Sequence, residues 1–251
     1  MCGRYARRSD KQKIAEHYGI PRTSLDPPGE PEHAFAPDYN ASPGTFQPVI
    51  RLNHETGDRE ITAMNWGLVP YWSKERKSLA PNSRDDKLES SGAWKEPFKR
   101  RRCLIPAEFF YEWEPATAEM KRGKITRPWA IALKDERLFS FGGIWDRWRD
   151  RGTGTAFQSF NIITTEPNEL LEPFHNRCPL IIEPRNYQRW LTPSDPEDPG
   201  TLPTDLLKIY PDEALKAWRV NPIAQGSNGP QLLAPIAAEP TLPSNGNLFA
   251  E

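Results

Sequence analysis

Apolar residues in the middle of the chain fall into short segments with polar residues between them, and turn-forming residues separate the segments. The segments are rich in β-branched and aromatic side chains, which pack well on a pleated sheet. The pattern therefore predicts strands. They are expected at residues 47–53, 60–68, 101–105, 108–114, 128–134, 137–145, 156–164 and 178–183.

Helical periodicity is confined to short stretches. The 27 prolines and 16 glycines interrupt the chain often, and proline stops a helix from extending. The clearest helix is predicted over residues 10–18, where Asp10 can cap the first turn. Further short helices are predicted at residues 94–100, 167–172, 184–191 and 203–208.

These elements predict an α+β fold that is rich in strands. Regular alternation of strands and long helices would indicate a doubly wound parallel sheet, and the sequence lacks that alternation. Frequent short connections instead favour a mainly antiparallel, barrel-like sheet with short flanking helices. The 251 residues are enough for a single domain, which we expect over residues 1–221, followed by a Pro/Gly-rich C-terminal extension over residues 222–251.

The charge of the chain is almost balanced, at −1 from 33 basic and 34 acidic residues, which argues against a broad grip on duplex DNA. The chain can still form local basic surfaces, because lysines and arginines cluster at residues 74–77 and 95–102, and the first of these clusters lies beside tryptophans. Aromatic and basic residues interleaved in this way suit single strands, whose bases stack on rings while cations follow the phosphates. Solvated loops beside core tryptophans are the alternative interpretation.

Composition also bears on the compartment. No apolar run approaches the roughly 18 residues that a membrane span needs, and the first residues lack the apolar segment of a secretory signal. Three cysteines cannot all pair with one another in one chain. We therefore expect a protein of the cytoplasm, where thiols stay reduced, without a membrane partner. We also expect it to act as a monomer and to need neither a metal nor a cofactor.

The second residue is the most informative one for chemistry. Removal of Met1 would give Cys2 a free α-amine beside its thiol, and such an amine titrates near ~7.7–8.0, well below a lysine. An aldehyde would form an imine with the nitrogen, and the sulfur could then close a five-membered thiazolidine ring. Removal of the initiator is expected because Cys2 is small. Retention of Met1 would block the amine, and a buried, inert Cys2 is the simpler alternative.

Two polar segments lie beside predicted strands. In Pro81-Asn82-Ser83-Arg84, the amide of Asn82 can accept a hydrogen bond from an amine, and Arg84 offers a fork to a phosphate. His175 stands in a second polar segment, His175-Asn176-Arg177-Cys178-Pro179. A structural role is the simpler interpretation of each residue taken singly.

A carboxylate and a set of aromatics complete the candidate chemistry. Strand alternation over residues 109–113 sends Phe109, Tyr111 and Trp113 to one face and Glu112 to the other. Desolvation by such surroundings would raise the pKa of Glu112, which suits proton transfer near neutral pH. Residues 66–72 end a strand at Gly/Pro and present aromatics where the chain leaves it.

The order of these motifs resembles that of the SOS response-associated peptidase (SRAP) family, from Cys2 to about Asn228. The motifs are Cys2-Gly3-Arg4-Tyr5, Tyr39-Asn40-Ala41-Ser42-Pro43, Trp66-Gly67-Leu68-Val69-Pro70, Asn82-Ser83-Arg84, Phe110-Tyr111-Glu112-Trp113 and His175-Asn176-Arg177-Cys178-Pro179. Three positions differ from what is usual in the family. Phe109 replaces a small residue, Ser83 stands where alanine is common, and Asp85-Asp86 replace a Glu-Thr pair.

The resemblance implies a protein that binds abasic sites in single-stranded DNA and attaches to them covalently through lyase-type chemistry, in the SOS response to DNA damage. It implies that Cys2 is the nucleophile, that Asn82 positions its amine, that Glu112 transfers protons and that His175 assists opening of the sugar ring. The implied DNA-binding residues are Arg4, Trp66, Trp72, Arg84 and Thr164. Cys178, at a position where the family often has methionine, is expected to pack in the core.

Three alternatives remain open on the sequence. The thiol of Cys2 could attack an acyl carbon with His175 as base, in a thiol-dependent autopeptidase or N-terminal hydrolase, which would need an oxyanion hole. Cys2, Cys103, Cys178 and His175 could bind zinc, although the spacing typical of zinc sites is missing. A single-strand binder without covalent chemistry is the third alternative.

Overall fold

The computed structural model describes residues 3–21, 31–123 and 126–236. Its α-helices are α1 (Lys11–Tyr18), α2 (Lys95–Arg100), α3 (Ala118–Gly123) and α4 (Tyr187–Leu191). Its strands are β1 (Tyr5–Arg7), β2 (Asp38–Ala41), β3 (Phe46–Leu52), β4 (Arg59–Trp66), β5 (Asn82–Arg84), β6 (Arg102–Ala107), β7 (Phe109–Trp113), β8 (Pro128–Leu133), β9 (Phe139–Arg149), β10 (Ala156–Thr165), β11 (Cys178–Pro179), β12 (Ile181–Ile182) and β13 (Leu215–Arg219). Short 3₁₀ turns connect many of them.

The strands form two sheets. The first has the order β13-β8-β7-β1-β2 and is antiparallel throughout. In the second, β10, β4, β3, β6 and β9 follow one another, and β9 pairs back onto β10, so that these five strands close a ring. The mainly antiparallel, barrel-like α+β fold predicted from the sequence is therefore confirmed, with β4 and β5 parallel to β10 as the exceptions.

Two large apolar clusters hold these layers together. One combines buried aromatic residues of both sheets, among them Tyr5, Phe110, Phe141 and Phe160. The other packs α1, α2 and α4 onto the second sheet. Burial of apolar area is the main stabilising contribution in such a domain, at about 25 cal/mol per Å². The first cluster joins the two sheets, and it reaches the candidate site.

Most predicted elements are confirmed. β9 runs four residues beyond its predicted end, residues 178–183 form two short strands, and the segment predicted as a helix at 203–208 holds only a 3₁₀ turn at Thr204–Leu206. Asp10 caps α1 as expected, since its Oδ1 accepts a hydrogen bond from the backbone N–H of Lys13 at 2.9 Å. The helix predicted over residues 167–172 is wrong. There, Oδ1 of Asn168 accepts from the N–H of Leu171 and its Nδ2 donates to the carbonyl of Tyr210, which holds the segment in turns.

The C-terminal part of the chain packs on the first sheet as far as it is described. Trp218 donates its indole N–H to the carbonyl of Leu233, and the backbone of Tyr39 donates to the side chain of Asn228. Residues 237–251 lie outside the described residues, so the predicted boundary at residue 221 stays a prediction. Within the described ranges, every helix is too short or too polar to cross a membrane.

Arg102 is a structural residue inside the basic segment 95–102. Its side chain is buried, and it donates hydrogen bonds to the carbonyls of Trp190 at 2.6 Å and Lys99 at 3.1 Å. It also donates to the carbonyls of Phe98 and Thr192. The guanidinium thus ties α2 and α4 to β6. The solvated-loop interpretation therefore does not hold for this cation.

We predict that Arg102→Met lowers the free energy of unfolding by about 3 kcal/mol, because it leaves several buried carbonyls without a donor. Arg100→Met, on the exposed side of the same helix, is the matched control and should change it by less than about 0.5 kcal/mol. Urea unfolding of both variants measures the difference. Equal stability of the two variants would contradict the structural role of Arg102.

Candidate active site

The amino-terminal strand β1 lies in the middle of the first sheet, between β2 and β7. Tyr5 faces Phe110 in the antiparallel register, and the N–H of Tyr111 donates to the carbonyl of Arg4 at 3.0 Å. Continued by two residues, this register brings Gly3 opposite Glu112. Cys2, the predicted nucleophile, lies outside the described residues. Its neighbour Gly3 is nevertheless held beside the strand that carries Glu112.

Glu112 is a buried carboxylic acid. Its side chain is 5% exposed, and Oε1 has no hydrogen-bond partner among the described residues. Alternation along β7 puts it on the face of Phe110, away from Phe109 and Tyr111, as the sequence predicted. Desolvation by this burial raises the pKa of Glu112 from its ordinary 4.5 to about 7. Near neutral pH both its acid and its carboxylate forms are populated.

His175 is connected to Glu112 through two aromatic rings. Trp129 lies directly opposite Glu112 on β8, and its ring packs 5.4 Å from that of Phe174, the residue before His175. The N–H of Arg177 donates to Nδ1 of His175 at 3.0 Å, so the neutral ring carries its proton on Nε2. Desolvation by partial burial lowers the pKa of His175. His175 therefore presents a neutral donor.

Asn82 reaches the same region from the second sheet. Its strand β5 pairs with β10, and Asn82 is buried beside Ile162 in that register. The preceding residue, Pro81, accepts the indole N–H of Trp66 at 2.8 Å. The Trp66 ring in turn packs 5.3 Å from Tyr5 of β1. The structure therefore connects Asn82 to the amino-terminal strand, and Glu112 to His175, through short series of aromatic contacts.

Trp66 itself lies in the core. The ring is fully buried and stacks on Phe160 with an interplanar angle of 11°. A base could not stack on it without unpacking the cluster that joins the two sheets. Gly67, which follows, has φ +134, and a Cβ there would come within 2.6 Å of the Ser78 hydroxyl. The glycine lets the chain leave β4 sharply at this point.

Trp72 is placed very differently, at the surface. It is 50% exposed and its neighbour Tyr71 is 60% exposed. Both belong to an excursion of the chain whose base is closed by the pairing of Leu68 with Ala80, two residues before Asn82. Adjacent exposed aromatics form a contiguous apolar surface, and such surfaces often mark a contact with another molecule. This surface begins close to Asn82.

Arg84 and Arg177 are both paired with aspartates, in different environments. Arg84 is exposed and donates from Nε and Nη2 to Asp86, at 2.8 Å each. Arg177 is buried and donates to Asp85 and to the carbonyl of Thr164. Sequence reasoning gave Arg177 no role, although it stands in the same motif as His175. Its acidic partner lies far away in sequence, so no local signal marked the pair.

The remaining predicted residues are supporting ones by position. Thr164 is buried, and its hydroxyl donates to the carbonyl of Ser83 at 3.1 Å. Arg4 is half-buried and donates to Oδ1 of Asn40 at 2.6 Å. Cys103 and Cys178, both considered as zinc ligands, are buried free thiols, and burial raises the pKa of each. Cys178 packs in the core, as expected.

The model of the family described as SOS response associated peptidase (SRAP) matches residues 1–224. The chain belongs to this family.

The relatives of this SRAP chain include abasic site processing proteins, and a solved structure shares its fold. Abasic site processing protein YoqW of Bacillus subtilis (strain 168) is 31% identical over 237 residues, which cover 93% of this chain and 99% of the relative. Abasic site processing protein HMCES of Xenopus tropicalis is 29% identical over 230 residues, covering 80% and 67%. A crystal structure of a protein from Bacteroides thetaiotaomicron has the same fold, with a TM-score of 0.77 at 24% identity, and covers 94% of the SRAP chain and 100% of its own.

The raised pKa of Glu112 predicts a pH-dependent stability of this SRAP domain. Between pH 4.5 and about 7 the unfolded chain releases the proton while the folded chain keeps it, so the free energy of unfolding falls as pH rises. Above pH 7 the folded chain holds a buried charge. We expect Glu112→Gln to remove this dependence and to be more stable than the parent by about 3 kcal/mol above pH 7, at about 1.4 kcal/mol for each pH unit.

Denaturant unfolding of the parent and of Glu112→Gln at pH 4 to 9 measures this difference. The two curves should separate progressively between pH 4.5 and 7 and run parallel above it. Glu172→Gln, an exposed carboxylate, is the control and should follow the parent. A constant separation between parent and Glu112→Gln across the whole range would show that the carboxyl titrates at its ordinary pKa.

Proposed function

We propose that this protein recognises abasic sites in single-stranded DNA and crosslinks itself to them, through a thiazolidine between Cys2 and the ring-opened sugar. The crosslink would protect the site during the DNA damage response. The observation that carries the proposal is the buried carboxyl of Glu112, with a pKa of about 7, on the strand that pairs with the amino-terminal strand. The abasic site processing proteins among the relatives support the choice of substrate.

The chemistry begins with the sugar. The closed sugar opens when its C1′–O4′ bond breaks, O4′ takes a proton and the C1′ hydroxyl gives one up. The neutral ring of His175 carries a proton on Nε2, which suits donation to O4′. The product is an aldehyde, which the terminal amine of Cys2 can attack once Met1 has been removed. Asn82 would hold that amine through its side-chain oxygen.

Imine formation needs a proton on the carbinolamine hydroxyl, which then leaves as water, and the imine nitrogen gives up a proton in the same step. Ring closure then moves the thiol proton of Cys2 to the ring nitrogen. A group with a pKa of about 7 exists in both forms at neutral pH, so Glu112 can donate the proton that leaves with water, take one up from the nitrogen and pass the thiol proton on. Addition of the Cys2 sulfur to the imine carbon closes the thiazolidine, with the loss of one water overall. Reversal would use the same groups in the opposite order.

The strand would approach along the exposed side of the site. Trp72 and Arg84 are the exposed members of the predicted DNA-binding set, one suited to stack on a base and the other to bind a phosphate. Arg4, which follows Gly3 directly in the chain, is half-buried. Trp66 and Thr164 would act from beneath, by holding Pro81 and Ser83 in place. The protein would act in the cytoplasm as a monomer and associate with the nucleoid when bound to DNA.

We expect incubation with a single-stranded oligonucleotide that contains one abasic site to give a species of added mass on denaturing electrophoresis. Cys2→Ala should abolish it, because the sulfur that closes the ring is missing. Intact-mass analysis should show that the reactive protein lacks Met1. An autopeptidase or a binder without chemistry would give no such species, and loss of the band only on thiol blocking of Cys103 or Cys178 would contradict the assignment of Cys2.

Glu112→Gln should slow adduct formation about 100-fold at pH 7, as expected for loss of a general acid and base. The parent rate should change with an inflection near pH 7, and the variant rate should lack that inflection. Binding of an intact single strand should differ less than about twofold between the two proteins, since Glu112 is buried away from the phosphates. Quenched time courses of crosslinking measure the rates. Identical pH profiles of parent and variant would reject the role.

A further inference from the structure

Asp86 binds the guanidinium of Arg84, and we propose that it is an internal competitor for the DNA phosphate that Arg84 would contact. This inference rests on the proposed function, since it concerns how tightly the site holds a strand before any covalent step. Arg84 follows Asn82 by two residues on β5, so a phosphate bound there would belong to a nucleotide next to the captured sugar.

The competition follows from the geometry of the pair. Nε and Nη2 of Arg84 each donate to a different oxygen of Asp86, at 2.8 Å. A phosphate binds arginine through two oxygens and the same kind of paired donors. The carboxylate therefore holds the guanidinium in a form that a phosphate could use, and while it does so these two donors are occupied.

Because the Arg84–Asp86 pair is exposed to solvent, Arg84 can exchange Asp86 for a phosphate. The side chains of Arg84 and Asp86 are 57% and 46% exposed, and ion pairs in water contribute little to stability. The neighbouring pair of Arg177 and Asp85 is different, since its side chains are 9% and 21% exposed and Arg177 is bonded to Thr164 as well. Opening that pair would leave a buried charge alone. The two adjacent aspartates thus have separate tasks, one structural and one exchangeable.

The consequence for DNA binding is electrostatic. Arg84 and Asp86 together carry no net charge, and Asp86 would remain close to any phosphate that displaced it. The pair therefore adds little to the attraction of a strand. A free Arg84 would neutralise one phosphate, which steepens the dependence of log K on log salt by about 0.7 on a single strand.

The test is equilibrium binding of an intact single-stranded oligonucleotide, without an abasic site, at several salt concentrations. We expect Asp86→Asn to bind about three to five times more tightly than the parent at 0.1 M salt, with a salt slope steeper by about 0.7. Glu89→Gln is the matched control, since Glu89 is also exposed and loses the same charge but has no guanidinium bonded to it among the described contacts. It should show less than half of this gain.

A double-mutant cycle separates loss of the pairing from loss of charge. In an Arg84→Ala background, Asp86→Asn should give no more gain in affinity than Glu89→Gln gives in the parent, because only the loss of charge remains when Arg84 is absent. The same gain with and without Arg84, or the same gain for Glu89→Gln, would overturn the proposal. Asp86→Thr gives a second variant with the same expected direction, and thermal unfolding confirms that both are folded.

Different results would reject the competition by Asp86 and the proposed crosslinking function. A parent protein that binds the strand and crosslinks to abasic DNA, together with an unchanged Asp86→Asn, would reject the competition and leave the proposed function standing. A parent that neither binds a single strand nor crosslinks to an abasic site would reject the proposed function itself.

Discussion

The pairing of β1 with β7 sets the geometry on which the rest of the site depends. Chain ends usually fray, because few contacts hold them. Here β1 lies inside a sheet, and its three residues Tyr5, Ala6 and Arg7 are fully buried. The guanidinium of Arg7 donates to the carbonyls of Ser9, Ala34 and Ala36, which anchors the strand further. Residues held in this way form a rigid element, which fixes the position of Gly3 beside β7.

The same pairing buries the carboxyl of Glu112, which lowers the stability of the fold. A carboxyl that is 5% exposed and has an oxygen without a described partner does not stabilise the domain, and above neutral pH its charge destabilises it. A glutamine would satisfy the same space with less penalty. An acid at this position is consistent with a task in proton transfer, and its burial supplies the raised pKa that such a task needs.

The extent to which the sequence predicted the structure depended on the range of the interactions. Strands such as β7 and β10 were found because runs of β-branched and aromatic residues mark them in the sequence, and both strands are buried along most of their length. The three-residue strands β1 and β5 were missed, because they are too short for a pattern and owe their conformation to neighbours distant in sequence. The helix predicted over 167–172 failed because the side chain of Asn168 competes for local backbone groups.

The candidate site followed the same rule. The motifs indicated Glu112 and His175, and alternation gave the correct face for Glu112. Pairings across the fold could not be seen from the sequence, which is why the burial of Trp66 and the partner of Arg177 came only with the structure. The pairing of Arg84 with Asp86 is local, but the sequence alone did not show that it forms. These three residues look equally available in the sequence. In the structure Arg84 is exposed, whereas Trp66 and Arg177 are buried and support the site from within the fold.

Balanced charge has a consequence for a protein that bonds covalently to its target. With a net charge of −1, and with Arg84 of the candidate site already paired with Asp86, we expect the chain to have little net electrostatic attraction for intact DNA at physiological salt. Strong attraction would hold it on every undamaged strand, since phosphates are the same everywhere. Under the proposed function, weak binding lets intact strands leave, and an aldehyde is retained because a new bond forms. Selectivity then resides in the chemistry of the amine and the thiol, and the surface has only to bring the sugar within reach.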